Sequence, residues 1–158
     1  KHIDHSILLK IGADVPACFY ARDCLVTNIG DKINLDINFP KYYFVLVQPR
    51  TKLSTTNMYN KVKKYIKFEN HNINKLSFLK TVQKYDTGND FEKIIKEENK
   101  EILDLLSFLS SLNNNIFSRM SGSGSCCYAT FSLQSEARKA FELTSKKYNN
   151  YWVYLTEN

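Results

Sequence analysis

The chain has 158 residues, 43% of them hydrophobic, which is enough apolar content for one compact domain, or one domain and part of another, and too much for a disordered polymer. Twenty-two Lys and Arg against sixteen Asp and Glu give a formal charge of +6 and a pI near 9.1, which suits nucleic acid, an anionic lipid surface or a phosphorylated ligand. No apolar run reaches the roughly 18 residues needed to span a bilayer, and nothing resembles a signal peptide.

The opening "HIDHSILLKI" sets Ile3, Ile7, Leu8 and Ile11 at helical spacing, and the chain is expected to begin inside that element. His2 and His5 have the separation of a metal pair, but solvent-facing histidines at a chain end are the commoner case, so no metal site is assigned. Gly12 and Pro16 stop the helix. "ACFY" and "CLVTNI" then read as two short strands joined near Arg22 and Asp23 as a hairpin, with "DKINLDIN" extending the second. The continuous β-branched and aromatic run from Tyr42 to Pro49 predicts a buried strand.

Ser54 or Thr55 is the expected cap of a helix in which Met58, Val62 and Ile66 recur at helical spacing. Lys61, Lys63, Lys64 and Lys67 fall on its solvated side, which favours an ordinary charged face over a nucleic-acid footprint. A polar stretch to Lys84, with an apolar cluster at Leu76, Phe78, Leu79 and Val82, reads as a loop and a short helix. "GNDFE" offers Asn89 as a cap with Glu92 three residues on, opening a helix in two pieces through Ile94, Ile95, Ile102, Leu105 and Leu109. A strand at "IFSRM", a glycine turn, a strand at "CCYATFSL", a helix at "QSEARKAFELTSKK" and a strand at "YWVYL" close the order. Hairpin-linked strands with helices on one face indicate an α+β fold with a ferredoxin-like core.

The four cysteines, 18, 24, 126 and 127, have neither zinc nor disulfide-framework spacing and read as small buried residues of a protein in a reducing cytoplasm. Two of the five glycines, Gly122 and Gly124, stand one residue apart in "SRMSGSGSC". Taken alone that pattern more commonly marks a tight turn before a strand, and it also fits a loop whose backbone amides crowd around phosphate. Asp14, between Gly12 and Pro16, is either a turn or cap residue or a carboxylate facing a cleft and able to accept a proton from a hydroxyl. Tyr59 is a core aromatic or a stacking platform, Thr55 and Thr56 are caps or ligand-facing hydroxyls, and Arg119 is a surface arginine or a phosphate contact. There is no G-x-x-x-x-G-K-S/T, which excludes a P-loop nucleotidase, and no serine motif to match the early histidines.

"IGADVPACF" (Ile11 to Phe19), "STTNMY" (Ser54 to Tyr59), "GNDFE" (Gly88 to Glu92) and "RMSGSGSC" (Arg119 to Cys126) resemble, in order and spacing over nearly the whole chain, the 4-diphosphocytidyl-2-C-methyl-D-erythritol kinases of the GHMP kinase superfamily. The resemblance implies Asp14 as the catalytic base, Thr55 near the methylerythritol end of the substrate and Tyr59 stacked on its cytosine. It makes Ser121, Gly122, Ser123 and Gly124 part of the nucleotide site, with ATP and Mg as cofactors. Residues 1–30 would end the kinase's N-terminal domain, carrying the aspartate motif and a hairpin, and 31–158 would be its C-terminal domain. The family's glycine- and serine-rich ATP loop, its catalytic lysine and its cytosine-reading residues lie upstream of the aspartate motif and do not occur here. The chain is therefore expected to be the C-terminal portion, cut within the helix before Asp14 and a poor catalyst alone. One departure concerns glycines expected near Ala21 and Asn28, of which only Gly30 remains.

The rival is a non-enzymatic, basic nucleic-acid-binding module with Tyr42, Tyr43 and Phe44 on a sheet face. Against it, those aromatics lie in an apolar run that reads as buried, and no R-G-F-G-F-type motif occurs. Nucleic acid and membrane are therefore not expected partners; a small cytidine diphosphate compound and ATP are, and the oligomeric state is left open.

Overall fold

A computed structural model describes residues 5–35, 40–62 and 88–158. Among these, Pro40 and all before it, with Asn158, form one compact unit, and residues 41–62 and 88–157 form another. The expected short helix near Leu76 and the continuation of the earlier helix through Ile66 lie outside the described residues.

In the first unit, α1 (His5–Ile11) ends at Gly12, whose amide donates to the Leu8 carbonyl. The next element corrects the sequence reading: Val15–Tyr20, which includes "ACFY", is a helix, α2, and not a strand. Pro16 explains the difference. Its fixed φ suits a first helical turn, and its missing N–H is one that no helical partner would use there. Ala21 closes α2 in the left-handed conformation, φ 48°. The hairpin consequently lies one element later, between β1 (Leu25–Thr27) and β2 (Lys32–Asn34), with Val26 opposite Ile33. Asn28 takes φ 61° in its turn and donates from Nδ2 to Asp31. Both positions where a glycine was expected thus carry a left-handed backbone without one, and Asn tolerates that conformation better than Ala does.

The second unit is built on an antiparallel sheet in the order β4 (Phe117–Met120), β5 (Cys127–Phe131), β3 (Tyr43–Gln48), β6 (Trp152–Glu157). With helices between β3 and β4 and between β5 and β6, this is the ferredoxin-like arrangement, first strand central and last strand at one edge. Alternation sorts the side chains. Val45, Val47, Cys127, Ala129, Phe131 and Met120 point to one face and are buried there against Ile102, Leu105, Leu109, Ala137 and Ala140 of the helices. Full burial of each large aliphatic contributes about 1.5–3 kcal/mol, so this face holds the core together.

The helices are α3 (Thr55–Lys61), α4 (Asp90–Glu98), α5 (Lys100–Ser110) and α6 (Gln134–Lys147). The two-piece helix is observed: Asn99 closes α4 through its amide to the Ile95 carbonyl and opens α5 through Oδ1, which accepts from Ile102. Of the four cysteines only Cys127 is buried. Cys18 is exposed and Cys24 and Cys126 are half-buried, so the sequence reading of four buried thiols holds for one.

Candidate active site

Asp14 occupies the N-cap position of α2, between two helices and not between a helix and a strand. Its carbonyl accepts from the Cys18 amide, but its carboxylate makes no capping hydrogen bond and is exposed. Asp14 is thus a turn residue at the helix start, as one of its two sequence readings had it, but its side chain is not used as a cap. The loop carrying it is backed by the β1–β2 turn, where the Gly30 α-carbon is packed on the backbone of Ala13.

In the second unit, Ser121 to Cys126 connect β4 to β5. The Ser121 amide donates to the Cys126 carbonyl and the Gly124 amide to the Ser121 carbonyl, 2.8 and 2.9 Å, closing a small turn. Gly122 and Gly124 take φ of 53° and 88°, conformations that suit glycine. A Cβ on Gly124 would fall 2.6 Å from Met120 Sδ and 2.7 Å from Leu53 Cδ1, while one on Gly122 would meet nothing within 4 Å. Both glycines are thus favoured by conformation, and at Gly124 a side chain would in addition displace the ends of Met120 and Leu53. Among the described residues, no backbone carbonyl accepts from the amides of Gly122 and Ser123.

Three segments distant in sequence hold this turn. Thr55 Oγ1, at the start of α3, lies 2.9 Å from Ser123 Oγ, which brings "STTNMY" and the glycine turn together. Asn89 donates from Nδ2 to the carbonyls of Met120 and Gly122. Buried Ser125 donates to the Thr51 carbonyl at 2.5 Å and accepts from Gln48 Nε2 at 2.6 Å, fixing the far end of the turn to the end of β3. Ser54, not Thr55, is the cap of α3, accepting from Asn57, which leaves the Thr55 hydroxyl for Ser123. Tyr59, one turn on, is 54% exposed and makes a T-shaped contact with Phe91, ring centroids 5.0 Å apart, so it is not a core aromatic. Arg119 is engaged elsewhere: it donates to the Ser118 carbonyl and lies over the Phe117 ring.

Sequence reasoning missed the holding roles of Ser125, Gln48 and Glu92. Glu92 had a signal, its N-x-x-E spacing from Asn89, but its carboxylate accepts from the Met120 amide at 2.6 Å. Ser125 and Gln48 had none, being 77 residues apart. Beyond them, the Glu101 carboxylate takes hydroxyl hydrogen bonds from Thr51 and Tyr151, which hold it below the usual carboxylate range. Burial, then Glu101, pushes the Tyr151 hydroxyl up to about 12. Burial pushes the Cys127 thiol up to about 12 as well, so it is an inert core group beside the turn. Two clefts of about 500 and 580 Å³ open along α5 and α6, and none of the sequence-predicted site residues lines either.

The rival's platform is not formed. Tyr42 is buried, and Tyr43 and Phe44 alternate to opposite faces of β3.

A family model of the GHMP kinases C terminal matches residues 71–150. The chain belongs to the GHMP kinases. Among curated relatives of this GHMP kinase chain, the 4-diphosphocytidyl-2-C-methyl-D-erythritol kinase of Wolbachia pipientis wMel is 34% identical, over 99% of this chain and 55% of its own. That of Wigglesworthia glossinidia brevipalpis is 31% identical over 83% of this chain and 40% of its own. The chain spans about half the length of the curated relatives it matches. In fold it is similar to a solved 4-(cytidine 5'-diphospho)-2C-methyl-D-erythritol kinase, TM-score 0.75 at 19% identity, over 98% of this chain and 57% of that one. A homoserine kinase from Cytophaga hutchinsonii aligns over 91% of this chain and 50% of its own, TM-score 0.56 at 18% identity.

Proposed function

We propose that this chain serves ATP-dependent phosphorylation of a hydroxyl of 4-diphosphocytidyl-2-C-methyl-D-erythritol, a step toward isoprenoids. The relatives' names supply the substrate, and the observation that carries the reading is the 2.9 Å approach of Thr55 Oγ1 to Ser123 Oγ. It joins the segment assigned to the substrate with the turn assigned to the nucleotide.

Asp14 is the carboxylate that orients or deprotonates the attacking hydroxyl, a role compatible with its uncapped, exposed side chain at a loop. Tyr59 offers an exposed ring to the cytosine face, and Thr55 a hydroxyl toward the methylerythritol end. The amides of Gly122 and Ser123, with the hydroxyls of Ser121 and Ser123, are suited to phosphate oxygens. Phosphoryl transfer is largely positioning and charge stabilisation, and these groups position. Magnesium, which the reading implies, meets no dedicated cage: among the described residues no three His, Cys, Asp or Glu side chains converge. Such an ion is commonly held by nucleotide phosphates with one or two carboxylates, and no step here is routed through it.

The experiment is transfer of the ATP γ-phosphoryl to 4-diphosphocytidyl-2-C-methyl-D-erythritol by a full-length protein carrying this sequence, beside its Asp14→Asn variant. The wild type turns over, and the variant loses on the order of 100-fold or more in kcat. A wild type that transfers no phosphate to this alcohol would overturn the reading, and a variant with full turnover would remove Asp14 from it.

A further inference from the structure

We infer that Asn89 is the positioning residue of the Ser121–Gly124 turn, aiming its amides at phosphate while capping α4; the inference rests on the assignment of that turn to the nucleotide. Asn89 uses one carboxamide for two tasks. Oδ1 accepts from the Phe91 amide at 2.9 Å, starting the helix, and the two Nδ2 hydrogens go to the carbonyls of Met120 and Gly122 at 2.9 and 2.7 Å.

The grip on Gly122 has a geometric consequence. A trans peptide unit is planar, with its C=O and N–H pointing in opposite directions. Holding the Gly122 carbonyl therefore directs the Ser123 N–H away from Asn89, and this is an amide with no backbone acceptor among the described residues. Ser123 is also the residue whose hydroxyl meets Thr55. Glu92, one turn into α4 and 5% exposed, secures the base of the turn by accepting from the Met120 amide at 2.6 Å. Both backbone groups of Met120, the last residue of β4, are thus held by the first turn of α4. With φ of 53° and 88° its glycines are conformationally permissive, and among the groups that hold the turn Asn89 is the one that grips the Gly122 carbonyl.

Capping and aiming can be separated. Serine is as good an N-cap as asparagine but too short to reach the two carbonyls. In the full-length protein, Asn89→Ser is expected to keep helical content and thermal midpoint near wild type. Loss of two hydrogen bonds at the turn should raise the KM for ATP roughly ten-fold, leaving kcat and the KM for the alcohol within about a factor of three. Amide exchange of Ser121 and Gly124, both bonded within the turn, should quicken in the same variant. Unchanged exchange overturns the positioning role outright. Faster exchange with an unchanged KM for ATP shows that Asn89 holds the turn but overturns its service to the nucleotide, and with it that part of the proposed function. A rise in both KM values together with a lowered midpoint marks general destabilisation and also overturns the inference.

Discussion

A Cβ on Gly30 would lie 2.3 Å from the carbonyl oxygen of Ala13, closer than any real pair of such atoms. The turn of the β1–β2 hairpin is therefore the floor on which the loop carrying Asp14 rests. Gly30 also has φ 92°, so alanine there meets both a backbone clash and an unfavourable conformation. Gly30→Ala is expected to cost roughly 2–4 kcal/mol, and, because the obstacle is backbone, to move Ala13 and its neighbour Asp14. Urea unfolding with the kinase assay checks this: kcat should fall further than the unfolded fraction explains. A variant of wild-type stability and turnover would show that the two loops separate without consequence.

The two glycines of the β4–β5 turn should respond differently. Alanine at Gly122 enters open space and pays for its positive φ alone, about 1 kcal/mol. Alanine at Gly124 has φ 88° to contend with and meets Met120 and Leu53 as well, which must move. The expected cost is roughly 2–3 kcal/mol, from strain and overpacking together. Denaturation midpoints of the two variants decide the order; equal midpoints would mean that Met120 and Leu53 yield freely.

What the sequence made legible was periodicity. The runs Tyr42 to Pro49 and "CCYATFSL" and the amphipathic "QSEARKAFELTSKK" became β3, β5 and α6, because a β-branched and aromatic run and a helix with one apolar stripe each leave a distinct pattern, although β3 buries only the face that carries Val45 and Val47. "ACFY" did not, since four residues hold barely one helical turn and an apolar run that short fits either element. There Pro16 was the better guide than the hydrophobic pattern. At the candidate site, Asn89 was visible as a cap because capping is local, whereas its hold on Met120 and Gly122 and the bond between Gln48 and Ser125 exist only once the sheet and helices have assembled. Spacing reports contacts within a few turns; it is silent on those made by topology.

Tyr59 and Thr55 provide a test of the substrate side. Base stacking on an aromatic ring is worth about 1–3 kcal/mol, so Tyr59→Ala should weaken binding of cytidine diphosphate by roughly 5- to 150-fold, and Tyr59→Phe by no more than about two-fold. The ring is 54% exposed and touches Phe91 at its side, so both variants should stay folded. Thr55→Val removes the Ser123 contact at an exposed site and should change stability by less than about 1 kcal/mol. Calorimetric titration of the full-length variants with cytidine diphosphate gives the answer; equal affinity in Tyr59→Ala would take the cytosine away from this ring.

The Glu101 and Tyr151 pair makes a prediction at both ends of the pH scale. Hydroxyl hydrogen bonds from Thr51 and then Tyr151 hold Glu101 below its ordinary value of 4.5 in the folded chain. A group depressed on folding contributes stability that is present above its unfolded pKa and is lost as pH falls through the folded one, so this contribution should fade below about pH 4.5. Tyr151 moves the other way, from 10 to about 12, chiefly through burial. Its contribution is complete below pH 10 and is lost as pH rises toward 12, where ionising the phenol sets a second negative charge beside Glu101. Tyr151→Phe cannot ionise, so its unfolding free energy should decline less steeply than that of the wild type between pH 10 and 12, while at pH 7 it is lower by roughly 1–3 kcal/mol for the lost hydrogen bond to a charged acceptor. Glu101→Gln should flatten the acid limb in the same way. Urea unfolding across both ranges measures the slopes, and parallel alkaline limbs for wild type and Tyr151→Phe would show that another group governs the loss.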